Sequence, residues 1–373
     1  MQFEYKNHKY YISRYPHTAH PSLRAWNAGD EYLLQFLQSS NTSPEASLAI
    51  LNDRFGFLSI VLHDFAPYTL IQYKSQEKAF AANMVLNKKQ INKDRIVLPL
   101  QPFPSKIDIA CIKVPKSSAL FEQMILQLLP SIHTDTTIAC AFMTRHFNPK
   151  ILSIAQRYFE HVSQSKARKK SRLILLKNKK ETIATTGPRL TSIRLGRGKV
   201  LQQYAGIFSE GKIDLGTRFL LSHLELRPED LNVLDLASGN GVLASHLQDQ
   251  DDKIELHLLE DDYLAVESAK LNLTTGKAHF HWENTLESLE SDYFDLVVCN
   301  PPFHFEYENT IDIALLLFRG AHRCLRSKGR FVLVANRHLN YKTHLVKWFD
   351  DVQILGQDKR YIVYNCEKKR EGI

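Results

Sequence analysis

The stretch that decides the fold reads FDLVVCNPPFH and spans residues 294–304. Residues 294–299 form an apolar run typical of a buried strand. Two prolines end it, because proline has no N–H and a fixed φ. The turn is therefore stiff, and it presents the Asn300 side chain and the adjacent carbonyls beyond the strand end. Acceptors beside the Phe303 ring suit a planar amine, and an ordinary strand-end turn is the alternative interpretation.

Apolar runs and helical patterns alternate on the N-terminal side of this turn. Residues 233–236 predict a strand, residues 239–241 a turn and residues 242–248 a helix. A second strand is predicted at residues 254–259, ending at Glu260. The first half of the chain alternates in the same way, and this pattern implies parallel βαβ units.

The two halves of the chain repeat each other. Gly56 and Asn87 are separated by 31 positions, as are Gly241 and Asn272. In each half an aspartate opens a strand five positions before its terminal turn. This repeated spacing indicates an internal duplication.

The copies differ where chemistry would occur. The turn at residues 236–241 corresponds to residues 52–56, where one glycine survives and Arg54 and Phe55 are bulky. Asn300 corresponds to Lys113. These differences indicate that the first copy is a binding platform and that the second is the catalytic domain.

Length and composition indicate a globular protein of two or three domains. The chain has 373 residues, of which 44% are hydrophobic and 24% charged. No signal peptide or membrane span is predicted, and a cytoplasmic location is expected. The five cysteines are scattered and never form CxxC, which favours reduced thiols and argues against structural zinc. No metal is predicted.

Basic segments suggest a polyanionic partner. The net charge is +8. Residues 166–180 carry eight Lys or Arg, and they predict either a solvated edge hairpin or an edge that contacts phosphates, with Lys169, Lys170 and Lys180 as candidates. We expect a substrate-binding domain at 1–181, a basic linker at 182–199 and a catalytic domain at 200–373.

A nucleoside site is predicted at the carboxyl edge of the second sheet. Asp235, the glycine turn and Glu260 with Asp261 meet there, because ligands of doubly wound sheets bind at strand carboxyl ends. A carboxylate ending the second strand can accept both ribose hydroxyls. The chain lacks GxxxxGK[ST] and GxGxxG, so a nucleoside without phosphates such as S-adenosylmethionine fits better than a dinucleotide. Asn284 would meet the adenine edge.

Beside this nucleoside, the residues 300–303 would hold the acceptor. The amine would donate to the Asn300 side-chain oxygen and to the Pro301 carbonyl, with Pro302 stiffening the turn and Phe303 stacking on the base. Catalysis would be mostly positioning. No strong base is obvious, although His304 and His338 are possible proton acceptors.

At this point the sequence resembles the bacterial class I ribosomal RNA guanine-N2 methyltransferases. The resemblance covers nearly the whole chain and rests on residues 208–221, 235–241, 300–304 and 335–339. Residues 23–34 resemble the large-subunit branch, which modifies 23S rRNA, more than the 16S branch.

The resemblance implies two tandem Rossmann-like methyltransferase domains, each a mostly parallel seven-stranded α/β sheet with helices on both faces, the first degenerate. It further implies S-adenosylmethionine-dependent methylation of the exocyclic N2 of a guanine. Two departures are Glu260 for the more frequent aspartate and Ala237-Ser238 for Gly-Cys. The residues then expected at the cofactor are Lys212, Asp214, Gly216, Thr217, Asp235, Ala237, Ser238, Gly239, Asn240, Gly241, Glu260, Asp261, Asn284 and Asn300, and those expected at the RNA are Phe303, His304, Arg337, Lys169, Lys170 and Lys180.

Other functions stay open from the sequence alone. Related turns serve enzymes that methylate adenine N6 or a release-factor glutamine, and methylation of 16S rRNA is a closer alternative. A non-catalytic RNA-binding chaperone is the alternative from another class.

Overall fold

The computed structural model describes most of the chain. It covers residues 1–17, 23–103, 106–181, 187–273, 277–302, 304–305, 308–309 and 312–369, with the backbone alone for residues 197, 304–305 and 308–309. Two compact units divide it, Met1–Arg189 and Leu190–Ile373. Among the described residues, no helix combines the length and apolarity that crossing a membrane requires.

The first unit begins with a β-hairpin and continues as alternating strands and helices. In chain order its elements are β1 (Gln2–Tyr5), β2 (His8–Tyr11), α1 (Ala28–Ser39), β3 (Leu48–Leu51), α2 (Phe57–Val61), β4 (Tyr68–Leu70), α3 (Lys74–Leu86), β5 (Ile96–Val97), β6 (Ile107–Lys113), α4 (Ser118–Leu128), β7 (Ile132–Met143), α5 (Lys150–Tyr158), β8 (Phe159–Gln164) and β9 (Ser171–Lys179).

The second unit has the same succession. Its elements are β10 (Leu190–Arg194), β11 (Val200–Tyr204), α6 (Leu215–Leu221), β12 (Asn232–Leu236), α7 (Val242–Gln248), β13 (Glu255–Glu260), α8 (Tyr263–Asn272), β14 (Ala278–Trp282), β15 (Phe294–Cys299), β16 (His304–Phe305), β17 (Glu308–Asn309), α9 (Asp312–Cys324), β18 (Leu325–Asn336), α10 (Lys342–Leu345), β19 (Asp351–Gln357) and β20 (Tyr361–Glu367).

The two seven-stranded sheets share one strand order. The first runs β5-β4-β3-β6-β7-β9-β8 and the second β14-β13-β12-β15-β18-β20-β19. In both, the first five strands are parallel, and the sixth strand, β9 or β20, runs antiparallel to both of its neighbours, so that the seventh strand again runs in the direction of the first five. The predicted α/β class with two tandem, mostly parallel sheets is confirmed.

Helices cover both faces of the second sheet. Leu234 and Val297 point to one face, where they pack with Phe318 of α9. Val233 and Val298 point to the other face, where they pack with residues of α7 and α8 such as Leu247. Alternate residues of a strand face opposite sides, and β12 and β15 accordingly carry buried apolar side chains on both faces.

The duplication extends to hydrogen bonds outside the sheets. The Asn87 side chain bonds the backbone N–H and C=O of Tyr11 at 2.8 and 2.7 Å. The Asn272 side chain does the same for Gln202 at 2.7 and 2.9 Å. Each asparagine lies at the end of a helix, α3 in the first unit and α8 in the second. It therefore links that helix to the hairpin at the start of its unit, β1–β2 or β10–β11.

Two expectations differ from the structure. Residues 190–194, expected in the linker, form β10 and pair with β11, because the short strands can bond each other across a tight turn. The segment at residues 166–180 is not an edge: β9 lies between β7 and β8, with Leu173, Ile174 and Leu176 buried. The prediction of an edge was wrong because the basic residues lie at the two ends of β9, whereas the apolar residues in its middle are buried inside the sheet.

Candidate active site

The turn after β12 leaves open space at one glycine. Ala237, Gly239 and Gly241 have φ values of 58°, 55° and 78°. A Cβ at Gly241 would meet Ala269 and Leu273 at 3.3 Å, whereas at Gly239 it would meet nothing within 4 Å. A side chain at Gly241 would therefore crowd its neighbours in addition to straining the backbone, whereas Gly239 leaves room for a ligand to approach the backbone.

Glu260 fastens this turn to the end of β13. Its Oε2 accepts from the Gly239 backbone N–H at 2.8 Å, and its Oε1 accepts from Asp262 N–H at 2.9 Å. Burial raises the pKa of Glu260, although these two hydrogen bonds oppose the rise. Because each carboxylate oxygen can accept twice, both keep capacity for ligand hydroxyls.

Asp235 lies beneath the turn. Its side chain is fully buried, and Oδ2 accepts from the Ala244 backbone N–H at 3.1 Å in α7. Burial raises the pKa of Asp235 to about 7, and the nearby charge of Glu260 adds to the rise. Its Oδ1 has no hydrogen-bond partner among the described residues.

Asn240 is held from outside the sheet. Its Nδ2 donates to Oε1 of Gln203 at 2.6 Å, and its backbone carbonyl accepts from Nδ2 of Asn272 at 3.0 Å. Gln203 is buried and lies in β11, a strand that the sequence analysis missed. Residues 200–204 read Val-Leu-Gln-Gln-Tyr, which does not alternate apolar and polar residues, so the local sequence carried no signal for this strand.

Asn300 is oriented by two residues at the start of α6. Its Nδ2 donates to Oδ2 of Asp214 at 3.2 Å and to Oγ1 of Thr217 at 2.9 Å. Asp214 Oδ2 also caps α6, accepting from the N–H groups of Gly216 and Thr217 at 2.8 and 3.1 Å. Two acceptors on one side assign Nδ2 to that side, so Oδ1 is left as an acceptor.

A cleft opens beside Asn300. It is lined by Asn300, Pro301, Val334, Ala335, Asn336, Leu339, Tyr341 and Tyr361. Pro301 is buried and Pro302 half-buried. The cleft therefore brings the turn after β15 together with the end of β18.

The other residues predicted for the site lie around the carboxyl edge of the second sheet. Asp261 accepts through its carbonyl from Trp282 Nε1 at 2.9 Å, and Asn284 is half-buried after β14. Lys212 is exposed, and Ser238 is buried within the turn. Phe303 lies outside the described residues, and of His304 only the backbone is described.

The residues predicted to contact RNA lie in both units. The guanidinium of Arg337 donates to the Asp358 carbonyl at 3.1 Å, beside the exposed His338. Lys169 and Lys170 lie in the turn before β9, and Lys180 follows the end of β9. Nine strand residues span roughly 30 Å, so the three lysines do not form one cluster.

The first copy fills the positions that are open in the second. The two units can be aligned by the register of their strands and by the glycines that precede α2 and α7. In this alignment Arg54 takes the position of Gly239, and Ile71 takes that of Glu260. The Arg54 guanidinium stacks 4.2 Å from the Tyr73 ring centre and donates to Ser75 at 2.7 Å. A buried arginine thus occupies the first copy's turn.

The position that corresponds to Asn300 is also occupied by paired side chains in the first copy. Lys113, equivalent to Asn300, forms an ion pair with the buried Asp30 at 3.2 Å. Asp30 lies three positions after Asn27, which caps α1, just as Thr217 lies three positions after Asp214, which caps α6. Asp30 is therefore the equivalent of Thr217. Within the described residues, the geometry of the candidate site therefore exists only in the second unit.

Comparisons with known proteins match both units. Residues 1–181 match the family model "RLMG N-terminal domain", and residues 199–365 match "Methyltransferase small domain". The chain is 31% identical over 365 residues to ribosomal RNA large subunit methyltransferase G of Aeromonas salmonicida, covering 96% of this chain and 97% of that one. It is 30% identical over 368 residues to the protein of the same name from Streptomyces coelicolor, covering 96% and 98%.

A solved structure shares the architecture over the whole length. The 16S rRNA N2 G1207 methyltransferase of T. thermophilus, in complex with AdoMet and guanosine, superposes with a TM-score of 0.78. It covers 99% of this chain and 98% of that chain at 23% identity. This likeness shows the fold.

Proposed function

Because the chain belongs to the ribosomal RNA large subunit methyltransferase G family, we propose that it transfers a methyl group from S-adenosylmethionine to the exocyclic N2 of a guanine in 23S rRNA. The family confirms the predicted methyltransferase enzyme and its methyl donor. The relatives carry a large-subunit name, which favours 23S over 16S rRNA. The reaction would take place in the cytoplasm.

The orientation of Asn300 is the observation that carries this proposal. Asp214 and Thr217 accept from Nδ2, which leaves Oδ1 as an acceptor beside the cleft. An exocyclic amine needs such an acceptor. A second would be the Pro301 carbonyl, so that two N–H groups are held and the nitrogen lone pair is aimed at the donor.

Several features fit the methyl donor. The open space at Gly239 and the remaining acceptor capacity of Glu260 suit a ribose with two hydroxyls. The predicted loop residues and Asn284 would surround the adenosine, and Lys212, Asp214, Gly216 and Thr217 the methionine end. When bound, S-adenosylmethionine supplies an electrophilic methyl group.

The protein's contribution would be positioning and charge stabilisation. Asn300 Oδ1 and the Pro301 carbonyl fix the amine and stabilise positive charge that develops on nitrogen. No base is required, because the methylated amine can lose its proton to water. Phe303 would stack on the guanine, with His304 and Arg337 near the RNA.

The guanine must leave its stack, or be unpaired already, to reach Asn300. The first unit would bind the RNA backbone, with Lys169, Lys170 and Lys180 as candidates. In support, Arg54 and the Lys113–Asp30 pair fill its former site while its fold is retained.

The test uses rRNA from cells that lack the gene. Purified protein and labelled S-adenosylmethionine are incubated with 23S and 16S rRNA, and the RNA is digested to nucleosides and separated by mass. We expect N2-methylguanosine from 23S rRNA alone. N6-methyladenosine, or labelling of 16S rRNA only, would contradict the assignment.

A further inference from the structure

Three histidines and a glutamate gather on one face of the β13–β14 pair. Glu255 and His257 alternate along β13, and His279 and His281 alternate along β14. The register pairs His257 directly with His279. Alternation and register together bring the four side chains to the same face of the sheet.

The atoms of three of these residues are spaced as metal ligands. Oε1 of Glu255 lies 3.4 Å from Nε2 of His257 and 3.1 Å from Nε2 of His279. A tetrahedral zinc with bonds of 2.0–2.1 Å separates its ligand atoms by about 3.3 Å. Among the described residues this is the only group of three or more potential ligands with atoms within 4.8 Å of one another.

Two further residues orient the ligands. Nδ1 of His257 lies 3.0 Å from Nε2 of His281, and the two rings stack at 5.2 Å. The Tyr293 hydroxyl donates to Oε1 of Glu255 at 3.3 Å. Hydrogen bonds from outside the ligand set are what fixes the ring orientation and tautomer of metal-binding histidines.

The first copy shows that the fold does not require these side chains. Register equates His257 with Tyr68 and His279 with the position of Arg95, whose guanidinium stacks 4.3 Å from the Tyr68 ring centre. The same strand pair is thus covered by a cation–aromatic stack in one unit and by imidazoles and a carboxylate in the other.

We propose that Glu255, His257 and His279 bind a divalent transition metal ion, zinc foremost, which clamps the edge strand β14 onto β13. Imidazole and carboxylate ligands suit zinc. Glu255 and His257 lie five and three residues before Glu260 in β13, so the ion would lie roughly 10–17 Å from the cofactor edge. Its role is therefore structural, and it does not depend on the proposed methyl transfer.

The prediction of no metal rested on the cysteines and did not consider this group. Its sequence signal is the pattern Glu-x-His followed by His-x-His in the next strand. Only the register of β13 and β14 makes that pattern meaningful.

The test titrates zinc into the untagged full chain after chelator treatment, with calorimetry and thermal unfolding as readouts. We expect one tight equivalent and a higher melting temperature with zinc. His279→Ala and Glu255→Gln should each weaken binding at least tenfold and remove the thermal shift. Both side chains are partly exposed, at 50% and 39%, so both variants should fold.

His133→Ala is the matched control. His133 lies 2.9 Å from Asp108, a histidine–carboxylate pair outside the group of three. Its variant should bind zinc like the original chain. Equal zinc binding by the original chain and His279→Ala, or binding without any thermal shift, would overturn the proposal.

Discussion

Nδ2 of Asn300 lies 2.9 Å from Oγ1 of Thr217, although 83 positions separate the two residues in sequence. The contact ties the turn after β15 to the first turn of α6. Thr217 and Asp214 accept from Nδ2 and so set which way the Asn300 amide faces, and under the proposed function α6 would act in catalysis without contacting the acceptor base.

Replacing Thr217 tests this orientation. Thr217→Val keeps the shape but removes the oxygen that accepts from Asn300. A hydrogen bond of this kind contributes about 0.5–1.5 kcal/mol, so methyl transfer should slow roughly 2- to 10-fold. Thr217→Ser should restore the rate, as measured by single-turnover transfer to rRNA. A serine variant as slow as valine would contradict the orienting role.

The two turn glycines should respond differently to substitution. Asparagine tolerates left-handed φ, so Gly239→Asn mainly places atoms in the open space and should weaken S-adenosylmethionine binding at least tenfold. Gly241→Asn instead meets Ala269 and Leu273 and should lower the melting temperature. Calorimetry and thermal unfolding separate the outcomes. Unchanged cofactor affinity in Gly239→Asn would place the ligand elsewhere.

The pKa of Asp235 predicts a pH-dependent stability difference. Burial raises it to about 7 from 3.8, so between these values the folded state binds the proton that the unfolded state has lost. Stability therefore falls as pH rises through this window. Asp235→Asn cannot lose that proton, and its melting temperature relative to the original chain should rise from pH 4 to pH 7. A difference that is constant with pH would refute ionisation in the buried site.

The stoichiometry of the cofactor tests the loss of the first site. Arg54 fills the space that Gly239 leaves open, and Lys113 is paired with Asp30. Calorimetric titration should give one S-adenosylmethionine per chain, and Lys113→Asn should leave that value unchanged. Two equivalents in the original chain would show that the first copy still binds the donor.

Lysine substitutions test the RNA contacts. A triple Lys169, Lys170 and Lys180 to Ala variant should bind RNA more weakly and reduce the slope of log affinity against log salt by about 2 for single-stranded contacts. The control replaces three lysines of the second unit: Lys253 and Lys277, which lie just before β13 and β14, and Lys328 in the first third of β18. Equal salt slopes for both triple variants would exclude a specific role.

Local sequence predicted the strands and helices next to the site well. The strand at 294–299 and the helix at 242–248 agree with β15 and α7, because proline, glycine and continuous apolar runs mark both. The β1–β2 and β10–β11 hairpins were missed, since their strands are short and polar. Edge strand β19 was missed for the same reason, as its burial pattern is mostly exposed.

Contacts between distant residues could not be predicted from local patterns. Asp214 and Thr217 were expected at the methionine end of the cofactor, but nothing in the sequence indicated their bonds to Asn300. The support of Asn240 by Gln203 and Asn272 likewise arises only when β11 and α8 are placed together. Spacing indicates candidate residues for the site, and tertiary packing decides how they are oriented.

Single-turnover methyl transfer by Asn300→Ala tests the central claim most directly, with S-adenosylmethionine affinity measured in parallel. Removal of one preorganised acceptor at the reacting group should slow transfer about 10²–10³-fold. Cofactor affinity should stay within a few-fold, because the turn at Gly239 and Glu260 is unchanged. A variant that methylates 23S rRNA at nearly the original rate would contradict the account.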